Sequence, residues 1–470
     1  MSALTDQRME RVVANLVPAT AFDGKFAPTA AIAARQAYYH TPGVSIAVID
    51  DYQVAWAAGF VVIETGSTVQ VTPTTLFQAG SVSKPIFALA VMRLVQDGML
   101  DLDEDVNRYL SSWRIPANED WQPRITLRQL LSHSAGLTVH GFPGYNSKEA
   151  LPSVVQILNG EAPANTPKVE VNIIPGLQFR YSGGGMTVAQ QVLVDMLGKP
   201  FVDIMQELVL APLGMSESSY AQPLPAERAE HAATGHPAKG IPLAGKWHCY
   251  PEIAAAGLWT TATDLAHAGV ELMHVFTAKR SSRLLDKQTI LEMLSPQLAD
   301  QTAGKASSYY GLGFSCDGKD AGFHFHHNGW NQGFTAQMRF YPNLGKGAAI
   351  MVNSNQGYPM TDEVIRAIAR EYQCPGIFPE TKSPCSLKNL DDYTGNYVTS
   401  SGVPVEVSIN EGHLQMQLAN QPPLRLSPTS ELEFTIPAPN ARVSFARDDS
   451  TRINALTITQ QWQQTKALKQ

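Results

Sequence analysis

Two patterns of hydrophobic and polar positions divide the chain. In the first, apolar runs at 44–49 and 336–341 are each followed by turn residues and a second apolar run, which predicts two antiparallel hairpins. Apolar segments without alternation lie between the hairpins, notably 85–95 and 186–197, and these predict buried helices. Because strands come from both ends of this region and helices from its middle, we expect an α+β fold with one antiparallel sheet flanked by helices.

A second pattern begins after residue 388. Short stretches there alternate between apolar and polar residues and are separated by turn residues; they lie at 405–409, 413–418, 424–426, 433–436, 442–445 and 453–459. This arrangement predicts a small all-β barrel or sandwich. Proline is frequent between the two patterns, so we predict a first domain over 1–375, a Pro-rich linker over 376–388 and a β-barrel domain over 389–470.

Composition narrows the classes of partner. The chain has 470 residues, a formal net charge of -7 and no cluster of lysine and arginine, which argues against nucleic acid and anionic membranes as partners. No stretch approaches the roughly 20 apolar residues that span a bilayer. The N-terminus has no apolar segment typical of a signal peptide, so we expect a cytoplasmic protein, or a periplasmic or secreted one if a signal has been removed.

The cysteines do not indicate a disulfide scaffold, because there are only four in the chain. Cys374 and Cys385 flank the Pro-rich segment and could pair in an oxidising compartment. Buried free thiols are the expected state, and the pairing stays open.

The pair Ser81 and Lys84 carries the most chemical information. A serine followed three positions later by lysine, at the start of an apolar helix that Gly98 would end, places both side chains on one helix face. A neutral lysine can take the hydroxyl proton and so convert serine into a nucleophile. Burial and the positive end of the helix both favour the uncharged amine. Since roughly one or two such spacings arise by chance in a chain of this length, the pair alone is a weak signal.

Further motifs follow this pair in order. Tyr181-Ser182-Gly183 precedes the second apolar helix, and His327-Asn328-Gly329 precedes strand-like sequence. The order Ser-x-x-Lys, Tyr-Ser-x, His-x-Gly resembles the serine β-lactamase and penicillin-binding-protein superfamily, and is most similar to its class C-like esterase and D-peptidase branch. The likeness extends from about residue 25 to 375 and includes the segment 124–137. The C-terminal barrel resembles the lipocalin-like module appended to some members.

The resemblance implies a fold and a role for each motif residue. Ser81 would be acylated, Lys84 would accept its proton, and Tyr181 would act as the second acid/base. The backbone N–H groups of Ser81 and Trp330 would form the oxyanion hole. The site would lie in a cleft between the sheet and an all-helical region. The remaining motif residues would line the substrate; these are Gly183, His327, Asn328 and Gly329.

Two departures from the family pattern bear on the substrate. Position 183 is glycine, where relatives commonly carry an asparagine whose amide hydrogen-bonds substrate. Position 327 is histidine, mostly neutral at pH 7, where penicillin-type enzymes carry a lysine that attracts a substrate carboxylate. The loss of both groups argues against an efficient β-lactamase or a strict carboxypeptidase and favours an esterase, amidase or aminopeptidase-like activity.

Other reaction classes lack their motifs. The chain contains no Gly-x-Ser-x-Gly elbow, no Gly-x-x-x-x-Gly-Lys-Ser/Thr phosphate loop and no His-Glu-x-x-His zinc helix. His324, His326 and His327 are a possible metal cluster, but no carboxylate or thiolate lies close to them in sequence. We therefore expect neither a metal nor a cofactor, and His326 and His327 are equally compatible with ordinary strand positions facing opposite sides.

The motifs together indicate a serine hydrolase that works through a covalent acyl-enzyme. Its substrate would be a small molecule or peptide cleaved at an amide bond, including one with D-residues, or a carboxylic ester. Two alternatives stay open, an acyltransferase of the same fold and a penicillin-binding or sensor protein without turnover. We expect that the chain can form a homo-oligomer, and the barrel is either a passive domain or one that selects substrates or mediates assembly.

Overall fold

The computed structural model describes residues 3–18, 29–146, 148–280, 284–298, 308–377, 387, 389–399, 402–419, 421–436, 441–460 and 463–470. The chain forms two compact units: one consists of Met1–Leu16 and Ala30–Ile377, and the other of Val17–Thr29 and Phe378–Gln470. Cys385 and most of the predicted linker lie outside the described residues. Cys249, Cys316 and Cys374 are buried free thiols.

Helices make up much of the first unit. Those in the described part of the chain are α1 (Ala3–Ala14), α2 (Ile32–Tyr39), α3 (Ser83–Gln96), α4 (Leu127–Leu131), α5 (Val154–Asn159), α6 (Gly183–Leu197), α7 (Phe201–Met205), α8 (Ala226–Ala229), α9 (Ile253–Ala256), α10 (Ala262–Phe276), α11 (Lys287–Met293) and α12 (Gly357–Tyr372). Local sequence sets several of these ends. The Ser182 hydroxyl accepts the Gly185 N–H at the start of α6, and Gly98, with φ = +73°, follows α3.

A seven-stranded antiparallel sheet forms the centre of this unit. Its strands are β1 (Gly43–Asp50), β2 (Gln53–Val61), β5 (Ser308–Tyr310), β6 (Ser315–Asp317), β7 (His324–Asn331), β8 (Phe334–Tyr341) and β9 (Lys346–Val352), and a separate two-stranded ladder joins β3 (Phe77–Gln78) to β4 (Trp259–Thr260). The order across the sheet is β2-β1-β9-β8-β7-β6-β5. Strands from the two ends of the unit therefore pair at β1 and β9, as the hairpin pattern predicts.

Helices cover both faces of this sheet. Gly269 of α10 lies against the Phe340 ring on β8, so close that a Cβ at this glycine would meet the ring at 2.2 Å. Gln337, on the same strand, instead donates a hydrogen bond to Asp362 of α12. Because residues an odd number of positions apart on a strand point to opposite faces, α10 and α12 lie on opposite sides of the sheet. The expected α+β class, a sheet flanked by helices, is confirmed.

The second unit contains a nine-stranded antiparallel sheet. Its strands are β10 (Gly395–Thr399), β11 (Pro404–Asn410), β12 (His413–Leu418), β13 (Leu424–Arg425), β14 (Ser427–Pro428), β15 (Glu433–Ile436), β16 (Ala441–Arg447), β17 (Ile453–Gln460) and β18 (Gln463–Lys469). The order is β13-β12-β11-β10-β18-β17-β16-β15-β14. Only Leu426 separates the two edge strands in sequence, so the sheet curls until its edges approach, as a nearly closed barrel.

The interior of this barrel is a packed core. The rings of Tyr393, Phe434 and Phe445 contact one another with centroids 5.2 to 5.4 Å apart. The Tyr393 hydroxyl donates to the Glu431 carbonyl, and the Tyr397 hydroxyl donates to the Tyr393 carbonyl. Aromatic side chains therefore fill the space between these strands, and the hydroxyls of both tyrosines are hydrogen-bonded. Among the helices that the structure describes, none is both long and apolar enough to cross a membrane.

Candidate active site

Ser81 lies in a tight turn between β3 and α3. A 3₁₀ turn over Gly80–Val82 comes first, so Ser81 precedes α3 and does not lie in its first turn. Gly80 has φ = +51°, and a Cβ there would lie 2.5 Å from the backbone nitrogen of Trp330. Both the conformation and the close approach require glycine at this position. The turn consequently packs directly against the backbone of β7.

Lys84 is a buried amine in contact with this serine. Its Nζ lies 2.9 Å from Ser81 Oγ and 2.9 Å from the carbonyl oxygen of Ala255, just before the end of α9. The residue is 2% exposed, and burial lowers the pKa of Lys84 to about 7. A large fraction of the amine is thus uncharged near neutral pH. The uncharged form has a lone pair that can accept the serine proton.

Tyr181 contacts the same hydroxyl. Its phenol shares a hydrogen bond with Ser81, and Lys84 Nζ lies 5.0 Å from the centre of its ring. Burial raises the pKa of Tyr181 above its usual value, although the bond with Ser81 acts in the opposite direction. The phenol therefore keeps its proton at neutral pH and is suited to donate one.

His327 is a neutral side chain on β7, with 2% of its surface exposed. Its Nδ1–H donates to the Asn328 carbonyl at 2.6 Å, and its Nε2 lies 3.0 Å from the Tyr310 hydroxyl, which is also 3.1 Å from the Gly313 carbonyl oxygen. Burial and, second, the charge of Lys84 lower the pKa of His327 to about 3. The imidazole thus supplies no positive charge for a substrate carboxylate.

The backbone of β7 runs past Ser81 where its pairing with β6 ends. Among the described strands, β6 pairs with β7 only as far as His326, and the residues that follow face the turn that carries Ser81. A Cβ on Gly329 would lie 1.8 Å from the Ala79 carbonyl oxygen and 3.1 Å from the Ser81 nitrogen. Together with the approach of Gly80 to Trp330, this packing brings the backbone nitrogens of Ser81 and Trp330 close together.

The two remaining predicted substrate residues have different surroundings. Gly183 begins α6, and a Cβ there would lie 2.8 Å from the Phe142 ring and 3.1 Å from the His140 carbonyl oxygen. Phe142 therefore occupies volume that a side chain at 183 would need. Asn328 is one residue from Gly329 on β7, so its side chain points to the sheet face away from Ser81. The structure brings Ser81, Lys84, Tyr181 and His327 together but not the Asn328 side chain.

The sequence pattern does not mark three aromatic or histidine residues of this neighbourhood. The His133 ring lies 4.1 Å from the Tyr181 ring and 4.9 Å from the Tyr310 ring, measured between centroids. Tyr358, near the start of α12, is close enough to raise the pKa of Tyr181 electrostatically. His133 belongs to the 124–137 segment of the family likeness and Tyr310 begins the segment 310–314, which also resembles the family, whereas Tyr358 lies in no such segment.

The histidine cluster at the start of β7 differs from the one that the sequence suggests. Asp317, His324 and His326 each place a ligand atom within 4.8 Å of the others, whereas His327 points to the other sheet face. His326 Nε2 donates to Asp317 at 2.7 Å, and Arg339 donates to His324 Nε2 at 2.7 Å. The Arg339 guanidinium thus bonds to the lone pair of His324 Nε2 that a metal ion would need. Asp317, His324, His326 and Arg339 therefore form a hydrogen-bonded network.

A serine hydroxyl in contact with a buried lysine is an arrangement typical of serine hydrolases that use a lysine base. Residues 29–373 match the family model described as Beta-lactamase, a range that includes every residue of this site. The chain belongs to the Beta-lactamase family.

The chain is similar to proteins that carry several different names. Protein flp of Staphylococcus aureus (strain N315) is 24% identical over 322 residues, which are 68% of this chain and 61% of flp. Esterase EstB of Burkholderia gladioli is 30% identical over 169 residues, 35% of this chain and 43% of EstB. The structure of the octameric penicillin-binding protein homologue from Pyrococcus abyssi aligns with a TM-score of 0.62 and 21% identity, over 93% of this chain and 98% of that one. This chain thus spans about 61% of the length of flp.

Proposed function

We propose that the chain is a serine hydrolase that forms a covalent acyl-enzyme on Ser81. The observation that carries the proposal is the 2.9 Å contact between Ser81 Oγ and Lys84 Nζ, an amine whose pKa burial lowers to about 7. A serine becomes nucleophilic when such a base takes its proton. Membership of the Beta-lactamase family and the similarity to an esterase support this assignment.

The reaction divides into acylation and deacylation. Ser81 Oγ attacks the substrate carbonyl carbon while its proton passes to Lys84, and the N–H groups of Ser81 and Trp330 stabilise the oxyanion. Tyr181 then donates its proton to the leaving group as the bond to the carbonyl carbon breaks, and Lys84 returns a proton to Tyr181. In deacylation, water attacks the ester carbonyl, gives up a proton to the same groups, and Ser81 regains its hydrogen. Every step uses groups of the chain and water.

The substrate that best suits this site has no carboxylate that must be bound by a fixed cation. His327 is neutral, position 183 provides no amide, and the Phe142 ring fills the space beside that position. A fixed cation that would bind a substrate carboxylate is therefore missing from these positions. We propose amides or peptides, including those with D-residues, and carboxylic esters as substrates, with the similarity to EstB in favour of esters.

Intact-protein mass spectrometry tests the proposal. The protein is incubated briefly with p-nitrophenyl esters, D- and L-amino-acid p-nitroanilides, a penicillin and a fluorophosphonate. We expect a mass adduct on the Ser81 peptide, chromophore release from one substrate class, and loss of both in Ser81→Ala. Ser216→Ala, at an exposed serine, serves as the control and should behave as wild type. An adduct that persists in Ser81→Ala, or a folded wild type that reacts with no reagent, would refute the proposal. An adduct without turnover would favour the sensor alternative.

We also propose that the chain self-assembles. The support is its similarity in fold to a homologue from Pyrococcus abyssi that is octameric. Light scattering on the eluting peak of a sizing column would give the mass of the particle, and a mass of one chain at all concentrations would refute assembly.

A further inference from the structure

A strained loop wraps around the start of α6, where Tyr181 lies. His133 and Val139 have φ values of +55° and +62°, in the left-handed region that non-glycine residues rarely adopt, and Val139 is β-branched. A residue in such a conformation is strained and persists only where surrounding contacts determine its conformation. Both strained residues lie on the segment 133–140, and this segment contacts the residues next to Tyr181.

These contacts are backbone hydrogen bonds from the start of α6. The Gly183 N–H donates to the His140 carbonyl at 3.0 Å, and the Gly184 N–H donates to the Val139 carbonyl at 3.0 Å. The Arg180 N–H donates to the His133 carbonyl at 2.7 Å. The strained loop therefore fixes the backbone on both sides of Tyr181.

The His133 side chain acts on the same segment and on the Tyr181 ring. It is 2% exposed, its Nδ1 accepts the Ser182 N–H at 3.2 Å, and its ring lies 4.1 Å from that of Tyr181. Since Nδ1 is an acceptor, the neutral imidazole carries its proton on Nε2. This Nε2 is buried and has no hydrogen-bond partner within the described part of the chain. Burial and, second, the charge of Lys84 hold the pKa of His133 well below its usual value.

The His133 ring packs among aromatic side chains. Phe179 and Tyr310 approach the imidazole with centroids 5.9 and 4.9 Å away, and their own ring centroids lie 5.5 Å apart. A buried imidazole with an unpaired N–H is expensive for a core position. An apolar ring would fill this space at lower cost, so the histidine is explained better by the bond to Ser182 and the contact with Tyr181 than by packing alone.

We propose that His133 is the positioning residue for Tyr181: through Nδ1 it holds the backbone at Ser182, and through its ring face it holds the phenol on Ser81. The inference rests on the proposed function, in which Tyr181 protonates the leaving group. His133 itself touches no reacting atom. If its ring or its acceptor is lost, Ser81 and Lys84 remain in place but the proton donor does not.

Two esters with one acyl group test this inference, because they differ only in the need for a proton donor. The p-nitrophenolate of p-nitrophenyl butyrate leaves without protonation, whereas the ethoxide of ethyl butyrate requires it. In His133→Ala we expect kcat/KM for ethyl butyrate to fall about 100-fold, as misplacement of a catalytic group does. The value for p-nitrophenyl butyrate should change by less than about threefold, since Lys84 still activates Ser81.

Two conservative variants separate the contributions of His133. His133→Phe retains a ring without the acceptor, and His133→Asn retains an acceptor near Nδ1 without the ring. Each should recover part of the ethyl butyrate activity, and both remain informative if the alanine variant does not fold. His274→Phe is the matched control, because His274 stacks on Tyr52 with centroids 5.2 Å apart, on α10 and outside the site.

Three results would overturn the inference. The first is an equal loss for both esters, which would mean a general collapse of the site. The second is unchanged activity with a lowered melting temperature, which would mean a purely structural role. The third is a wild type that neither reacts with fluorophosphonate at Ser81 nor cleaves either ester, which would refute the proposed function itself before any variant is compared.

Discussion

The cores of the two units differ in the polar groups that they bury. The barrel core combines apolar side chains with tyrosines, and the hydroxyls of Tyr393 and Tyr397 both donate to backbone carbonyls. The core of the first unit instead contains buried ionisable groups with incomplete partners. Glu252 is 0% exposed, and neither of its carboxyl oxygens has a hydrogen-bond partner among the described residues.

This difference in buried polar groups indicates that the barrel core is optimised for stability, whereas the core of the first unit is not. An ionisable group without a partner in a core destabilises the fold, so such groups persist where chemistry or its support requires them. Lys84, His133 and His327 are buried ionisable groups that surround Ser81 and Tyr181, and among the described residues His133 Nε2 has no hydrogen-bond partner. The barrel has the composition expected of a region that contributes packing.

Removal of the buried amine should have the largest effect. Lys84→Met keeps the volume of the side chain but removes the base, and we expect the rate of fluorophosphonate labelling at Ser81 to fall about 1,000-fold. Lys199→Met, at an exposed lysine that pairs with Glu207, is the control and should label as wild type. Labelling of Lys84→Met within tenfold of wild type would assign the base to another residue.

Glu252 should lower stability in a pH-dependent way. Burial raises its pKa from 4.5 to about 8 in the folded state. Between these values the unfolded chain loses the proton and the folded chain keeps it, so stability falls as pH rises through this window. Glu252→Gln cannot ionise and should be more stable than wild type by about 3 kcal/mol at pH 7, with no difference at pH 4. Urea unfolding at both pH values measures this difference.

Glu230→Gln, at an exposed carboxylate, is the control for this experiment. It should shift the unfolding midpoint little at either pH. A gain for Glu252→Gln that is equal at pH 4 and pH 7 would show that the carboxyl does not titrate as the contrast between the two cores requires.

A pair of tyrosine variants should show the smallest effects and separate the two units. Tyr393→Phe loses one hydrogen bond in the barrel and should cost about 1 kcal/mol without any change in Ser81 labelling. Tyr310→Phe loses the hydroxyl that contacts His327 Nε2 and the Gly313 carbonyl, and it should cost a similar amount but also lower kcat/KM. Melting temperature and ester hydrolysis are measured on both variants. Equal effects on hydrolysis would remove the functional distinction between the two cores.

Local sequence predicted the parts of the fold that depend on neighbouring residues. The hairpin at Gly43–Val61, the helix that ends before Gly98, and most barrel strands follow from periodicity and turn residues. The strands β10, β14 and β18 lie outside the predicted stretches: β14 has only two residues, and β10 and β18 alternate weakly and pair with each other. Their assignment depends on partners distant in sequence.

The details of the site also depend on contacts between residues that are distant in sequence. Motif order brought out Ser81, Lys84 and Tyr181, and the structure places these three side chains in contact. The sequence placed Ser81 inside the helix, whereas the approach of Trp330 to Gly80 produces a separate turn. Burial is also the main influence on the pKa of Tyr181. Burial arises from the whole fold and cannot be read from spacing.

The pH dependence of Ser81 labelling tests whether the buried Lys84 amine is the base that activates Ser81. The rate of fluorophosphonate addition is measured from pH 5 to 10 by mass spectrometry of the Ser81 peptide. If buried Lys84 is the base, the rate rises with pH as the amine loses its proton and is half-maximal near pH 7, since its pKa is about 7. A rate that is half-maximal near pH 10, the value of an ordinary lysine, or that does not depend on pH, would contradict the account.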